Sequence, residues 1–528
     1  MAPIRPHGQG VRGLGLARTS KIFGGRFGRI FRALPPADFG ATDDASQAAL
    51  TKLGAAMSAP PDPVKDGPDA EESGIPAVFT YFGQFIDHDL TFDPVSSLQR
   101  QNDPEALVDF RTPRFDLDSV YGRGPDDQPY LYDGSGRRFL LGDQLTGKAL
   151  GVDLSARDLA RSAGNPARAI IGDPRNDENV IVSQLQGLVL RLHNTIADDN
   201  PALTFAEVQR EVRFHYQWVV LNDFLPSLVS KEVIAQVLPH VGAGTSIADD
   251  GPVLDFYHSH ENAFMPLEFS VAAYRFGHSM VRPGYRLNDD IAPIPIFPPV
   301  GAPSFAGLGG FDRFPPGWAI DWARFADLEE RPVGKELQPG QTPGTDEIER
   351  TQLAYRIDTA LVDPLAHLPA SVAGDPPPSL AQRNLLRGWR LRLPSGQAVA
   401  RAMGVVPKPD GEIKIGKFTG ERGDVLGDVV TVGGTEFAGN CPLWAYVLAE
   451  TVEEDRTYRA QGAGGTNTVT SRVLGPVGGR IVTETMVGLL EDDSSSFLNV
   501  DPRWTPSLAV NGTFGLRELV AAAIKKPV

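Results

Sequence analysis

The chain has 528 residues, 41% of them hydrophobic, enough apolar side chain to bury a large core. Its 66 acidic and 50 basic residues leave a formal charge of -16, which argues against nonspecific attraction to nucleic acid phosphates or an anionic lipid surface. The single cysteine, Cys441, excludes an internal disulfide and a thiolate-built zinc site.

The first thirty residues are basic and glycine-rich but have no continuous apolar run. The expectation is a cytoplasmic protein, or one exported without a classical signal peptide. No uncharged apolar run approaches the ~18 residues of a membrane-spanning helix. Residues 1–76 read as an N-terminal arm and loop packed on a domain at 77–528, with Ser58 to Pro76 an exposed, proline-rich loop.

The first strong helix is predicted over Ala77 to Phe92. Asn179 to Asp198 is apolar almost all round, as befits a helix at the centre of a core. Thr204 and Glu207 form a T-x-x-E capping box ahead of a long amphipathic helix. Pro266 to Val281, Ser395 to Met403 stopped by Gly404, and Arg480 to Leu490 complete the helical set, and β-type alternation is scarce apart from "EIKIGKF". The fold class is mainly α, one large helical domain with few short β-strands.

Inside the first helix, "FGQFIDHDL" carries Gln84, Asp87, His88 and Asp89 among large apolar residues. At the helical period the first three share a sector of about 100°, and Asp89 points to the side. Downstream, "RTPRFDLDSVYG" places Thr112, Asp116 and Asp118 along an extended segment, the oxygen-rich spacing a hard cation takes. "GDPRNDEN" sets Arg175 and Glu178 at the entrance of the central helix, and "YRFGHSMV" sets Arg275 and His278 on one face of an apolar helix. Each segment alone has an ordinary explanation, such as a solvated helix face, an Asp-rich turn or a hydrogen-bonded core histidine.

Taken together and in this order, with "LGPVGGRIVTETMVGLL" near the C-terminus, the segments resemble the animal-type haem peroxidases of the peroxidase-cyclooxygenase superfamily, in particular its bacterial members. The resemblance covers roughly Phe79 to Leu490. It implies haem b and Ca²⁺ as cofactors, and hydrogen peroxide with a small electron donor as partners. His88 is then the distal histidine that shuttles a proton between the peroxide oxygens, Arg175 the cation facing the charge that develops, and Gln84 the amide that anchors distal water. Asp87 and Glu178 match the carboxylates that become ester-linked to haem. The residue after Glu178 is Asn179, so the sulfonium link of the mammalian granule enzyme is not expected. His278 resembles the proximal ligand, with Gln397 of "LPSGQ" as the acceptor for its other ring nitrogen and Arg275 as partner of a haem propionate. Asp89, Thr112, the Arg114 carbonyl, Asp116 and Asp118 match the family's calcium loop.

The implied activity is peroxide reduction coupled to oxidation of phenols and other aromatics, or of iodide, bromide or thiocyanate. A fatty acid dioxygenase of the same superfamily would carry a tyrosine three residues before the proximal histidine, where this chain has Arg275, with Tyr274 one place away. A non-catalytic haem or calcium-binding protein would not need Gln84, His88 and Arg175 together. An HD-type phosphohydrolase, suggested by "DHD", would need further histidines in a matching context, and the chain offers none.

Overall fold

The computed structural model describes residues 25–92, 108–299, 301–334, 349–417, 426–459 and 466–526, apart from 63, 65, 66, 68, 110, 260–262, 304, 305, 310 and 312. Most of the basic N-terminal stretch, residues 1–24, lies outside the described residues. Of the described residues 42% are helical, and one hydrophobic cluster runs from Phe31 to Ala523.

The N-terminal part is built into that cluster. β1 (Gly25–Gly28) pairs antiparallel with Val108–Asp109 and parallel with Met265–Pro266, just ahead of the His278 segment. α1 (Asp43–Ala56) is capped by Thr42, whose side chain accepts from the Ala45 amide. The stretch expected as an exposed loop ends instead in β2 (Glu72–Pro76), with all five residues buried. Two interactions account for this difference. β2 pairs with β3 (Leu353–Tyr355), and the Glu72 carboxylate meets Arg282 at 2.7 Å and Arg350 at 2.8 Å. A carboxylate can stay buried when guanidinium groups take its charge.

α2 (Val78–Leu90) lies close to the bounds expected for the first helix. It lacks a side-chain cap, yet its start is satisfied because the amides of Ala77 and Val78 donate to the carbonyls of Gln352 and Phe325. Phe82 packs edge-on against Phe224 at 5.6 Å and Tyr216 at 5.9 Å, and Phe85 against Tyr216 at 6.1 Å. Burying each phenylalanine contributes about 1.5–3 kcal/mol. α3 (Val180–Asp199) is the central helix, capped by Asn179, and α4 (Phe205–Val219) opens with the expected capping box. α4 runs on into a π turn, Val220–Phe224, that sets Phe224 against Phe79 and Phe82.

The segment expected as a helix over Pro266 to Val281 is not a regular α-helix. It is a π turn over Glu268–Ala272 followed by a 3₁₀ turn over Ala273–His278. The fully buried Glu268 carboxylate accepts from the Ile30 and Phe31 amides, and Arg275 donates through Nε to the Ser270 carbonyl at 3.1 Å, so local groups depart from the i to i−4 pattern. Arg275 and His278 still share a face, because a 3₁₀ helix turns once every three residues.

α5 (Leu380–Arg390), capped by Ser379, was not among the expected helices. It lies along α1, where a Cβ added at Gly54 would meet Gln382 Cγ at 2.7 Å. α6 (Gly396–Ala402) ends near Gly404, whose φ of +73° suits a stop without a Cβ, and α7 (Pro476–Asp492) extends beyond the expected bounds. A further departure is the hairpin of β4 (Val452–Arg459) and β5 (Thr466–Val473), paired from Val452 with Val473 to Arg459 with Thr466. Its threonines, charges and serines mask the alternation, and its buried Ser471 hydroxyl accepts from the Gly74 amide of β2. Among the described residues, no helix is long and apolar enough to cross a membrane.

Candidate active site

α2 presents His88 from a wholly packed environment, 5% exposed. Its Nδ1 lies 2.7 Å from Asn176 Oδ1, while Asn176 Nδ2 donates to Gln186 Oε1 at 2.9 Å. This orientation of the amide places the proton on Nδ1 and leaves a lone pair on Nε2, which has no partner among the described residues. Burial first, and the nearby Arg175 charge second, push the His88 pKa down to about 4. The imidazole is therefore neutral at physiological pH and can accept a proton at Nε2.

Arg175 sits on the 3₁₀ turn Pro174–Asp177, capped by Asp173. Its Nη2 donates to the His88 carbonyl at 2.9 Å and to Asp173 Oδ2 at 2.8 Å, and its guanidinium lies 4.7 Å from the Phe92 ring centre. Gln84 contacts Glu178 Oε2 through Nε2 at 3.4 Å and accepts from Asn179 Nδ2 at 3.1 Å. Asn179 also caps α3, so it ties the start of the central helix to α2. Burial, opposed by Arg175, raises the Glu178 pKa to about 7. Asp87 accepts from the Thr91 hydroxyl at 3.1 Å.

On the facing segment, His278 Nδ1 lies 2.8 Å from Asn384 Nδ2 on α5, and its Nε2 has no partner among the described residues. If Nε2 binds a metal, Nδ1 must carry the proton, and a turn of the Asn384 amide then puts Oδ1 in the accepting position. Burial, then the Arg275 charge, lowers the His278 pKa to about 3. Gln397 does not fill the place expected for it. Its Nε2 donates to Asp410 Oδ1 at 3.1 Å and its Oε1 accepts from the Cys441 amide at 2.7 Å, so both ends of the amide bind residues other than His278. The signal for Asn384 was present in the sequence, as one polar residue, 2% exposed, on the apolar face of a helix opened by Ser379.

The two segments meet, with the Tyr274 hydroxyl donating to the Gly83 carbonyl of α2 at 3.1 Å. A cavity of about 250 Å³ lies between them, lined by Asp87, Arg175 and Glu178 on one side and Ser270, Arg275 and Arg387 on the other. Arg387, one turn beyond Asn384, was not among the expected residues. The Ser270 hydroxyl is buried with no hydrogen-bond partner among the described residues.

Asp89, Asp116 and Asp118 bring carboxylate oxygens within 4.8 Å of one another. The fully buried Asp89 accepts from the Leu117 amide at 3.2 Å and the Ser119 hydroxyl at 3.0 Å. Thr112 donates its hydroxyl to Asp116 at 2.9 Å, and the Arg114 carbonyl has no donor among the described residues. Burial, then the neighbouring carboxylates, drives the Asp89 pKa well up; burial, against the pull of Arg111, lifts that of Asp118 to about 7. Oxygens so placed could serve as donors to a hard cation.

Residues 96–298 match the family model for the animal haem peroxidase. A "peroxidase-like protein" of Margaritifera margaritifera is 32% identical over 133 residues, a stretch that spans 23% of this chain and 15% of that relative's length. Peroxidase A from Dictyostelium discoideum superposes with a TM-score of 0.56 at 15% identity, covering 96% of this chain and 94% of that one. The Oryza sativa fatty acid alpha-dioxygenase gives 0.50 at 15% identity over 93% and 80%, and its Arabidopsis thaliana counterpart gives 0.52 at 13% over 92% and 76%. The family match includes Arg175 and His278 but begins after His88, which joins the site through its contacts with Asn176 and Arg175. These solved structures share the fold of this chain, and its residues 96–298 are similar to the animal haem peroxidase family.

Proposed function

We propose that the protein is a haem peroxidase that reduces hydrogen peroxide to water while oxidising phenols or other small one-electron donors, with iodide, bromide and thiocyanate as further candidates. The observation that carries this reading is the pair of buried histidines, each with Nδ1 beside an asparagine amide and Nε2 without a partner among the described residues, on segments that both line one cavity. The donor set fits haem b, with an imidazole for the iron, Arg275 and Arg387 for the propionates, and Asp87 and Glu178 as carboxylates for ester links to the macrocycle. Bound haem supplies the redox-active iron that takes up the two oxidising equivalents of peroxide.

The chain's own residues do the rest. His278 Nε2 would hold the iron, and Asn384 keeps that ring in one orientation. His88 Nε2 accepts the proton from the near oxygen of hydrogen peroxide and returns it to the far oxygen, which leaves as water. Arg175 places a fixed positive charge beside the oxygen that becomes negative as the O–O bond breaks. Gln84, one turn before His88, is the amide that would anchor distal water. The fatty acid dioxygenase reading lacks its tyrosine, because Arg275 occupies that place and Tyr274 is stacked on Phe269 at 4.6 Å with its hydroxyl on Gly83.

A purified, haem-supplied protein is expected to show a Soret band and rapid peroxide-dependent oxidation of a phenol. Part of the haem should stay attached in the mass spectrum after denaturation, and Glu178→Gln should reduce that fraction. A colourless protein, or one inert to peroxide, would contradict the reading.

Ca²⁺ is proposed as the ion of the Asp89, Asp116 and Asp118 cluster, with the Thr112 hydroxyl and the Arg114 carbonyl. Asp89 follows His88 directly, so the ion would fix the rotation of α2 about its axis. At a hundredfold excess over Kd, Ca²⁺ would stabilise the fold by about 2.7 kcal/mol. Chelation should lower the thermal midpoint accordingly, and a midpoint unmoved by Ca²⁺ or chelator would rule the ion out.

A further inference from the structure

Arg111 joins the carboxylate cluster to the cavity. Its Nη1 donates to Asp118 Oδ1 at 2.9 Å, while Nε, at 3.1 Å, and Nη2 both reach Asp173 Oδ2. The same Asp173 holds Arg175, through Nη2 at 2.8 Å and Nε at 3.2 Å to each oxygen. Side-chain exposure is 13% for Arg111 and 2% for Asp173. Charges this far from water settle among themselves, because neither solvent nor salt screens them.

We propose that Arg111 is a positioning residue that couples cation binding at Asp89, Asp116 and Asp118 to the placement of Arg175, with Asp173 as the shared partner. The proposal rests on the cation reading above. A divalent ion that takes Asp118 competes with Arg111 for that carboxylate. The Arg111 fork then turns more fully onto Asp173, whose lone pairs are divided between two guanidinium groups, and Arg175 is held less tightly. Its N–H groups become more available to an anion in the cavity. Without the ion, Asp118 draws on Arg111, and Asp173 leans on Arg175. A lysine keeps the charge but cannot bridge two carboxylates in fixed directions. Coupling between two binding events is reciprocal, so a change at Asp173 must also alter cation affinity.

The test uses the full-length, haem-supplied protein and compares the native form with Arg111→Lys, Asp173→Asn and the double variant by calorimetric Ca²⁺ titration. Asp173→Asn leaves Arg111 wholly to Asp118, and it should weaken Ca²⁺ binding roughly three- to tenfold when Arg111 is present and leave it unchanged in the Arg111→Lys background. A second measurement needs no Asp173 variant. Fluoride affinity, read from the visible spectrum, should fall severalfold on chelation in the native protein and stay constant in Arg111→Lys. Equal effects of Asp173→Asn in both backgrounds, or equal effects of chelation on fluoride in both proteins, overturn the proposal, and failure of the native protein to bind Ca²⁺ removes it together with the cation reading. A sample without a Soret band sinks the haem reading alone, and the calorimetric cycle then decides.

Discussion

His278→Ala is expected to abolish the Soret band of the purified protein, or shift it to that of weakly held haem, and to lower peroxidase turnover by about three orders of magnitude or more. Losing the imidazole removes the ring whose Nε2 has no partner among the described residues. It also leaves the Asn384 amide, 2% exposed, facing a gap, and an unpaired buried polar group costs about 1–3 kcal/mol. Added imidazole should enter the space left by the side chain and restore part of the spectrum. Asn384→Leu supplies the graded counterpart: the ring stays, Nδ1 loses its partner, and haem should bind with a changed spectrum. Native spectrum and turnover in His278→Ala would show that the iron is held elsewhere.

His88→Gln should keep the Soret band and lose the reaction with peroxide, with kcat/KM for hydrogen peroxide reduced about 10²- to 10⁴-fold, the usual contribution of a positioned acid-base group. The oxidation of donor by an already oxidised protein should change far less, because His88 acts on the oxygen atoms and not on the donor. The pH dependence carries a sign. Burial and Arg175 hold the His88 pKa at about 4, below the usual histidine value, so the neutral, proton-accepting form persists well into the acid range. The reaction with peroxide should be level through neutral pH and fall only as pH drops through about 4, when Nε2 becomes occupied. A break near 6.5 in the native protein would mean that His88 is solvated and not held as described.

The mainly helical class, α2, the central helix with its Asn179 start and the capping box at Thr204 and Glu207 were legible in the sequence, because each depends on a local pattern of apolar spacing or a cap within a few residues. The polar face of Gln84, Asp87 and His88, and the proximity of Asp89 to Asp116 and Asp118, were legible for the same reason and through the resemblance of their motifs to a family. The partners of the two histidines were not. Asn176 reaches His88 from a turn 88 positions away, and Asn384 reaches His278 across 106. Gln397 failed as a choice because it was placed by motif order alone, while the Asp410 carboxylate and the Cys441 amide satisfied its side chain.

What the sequence determined by itself was the set of chemical groups and the helices that carry them, since helical period and capping act over a handful of residues. Tertiary structure alone decided which amide holds which imidazole, that the segment before His278 winds as π and 3₁₀ turns around the buried Glu268, and that Arg111 shares Asp173 with Arg175. The reason is physical: a buried polar group must find its partner wherever packing brings one within about 3 Å, and that choice depends on the whole core, not on neighbours along the chain.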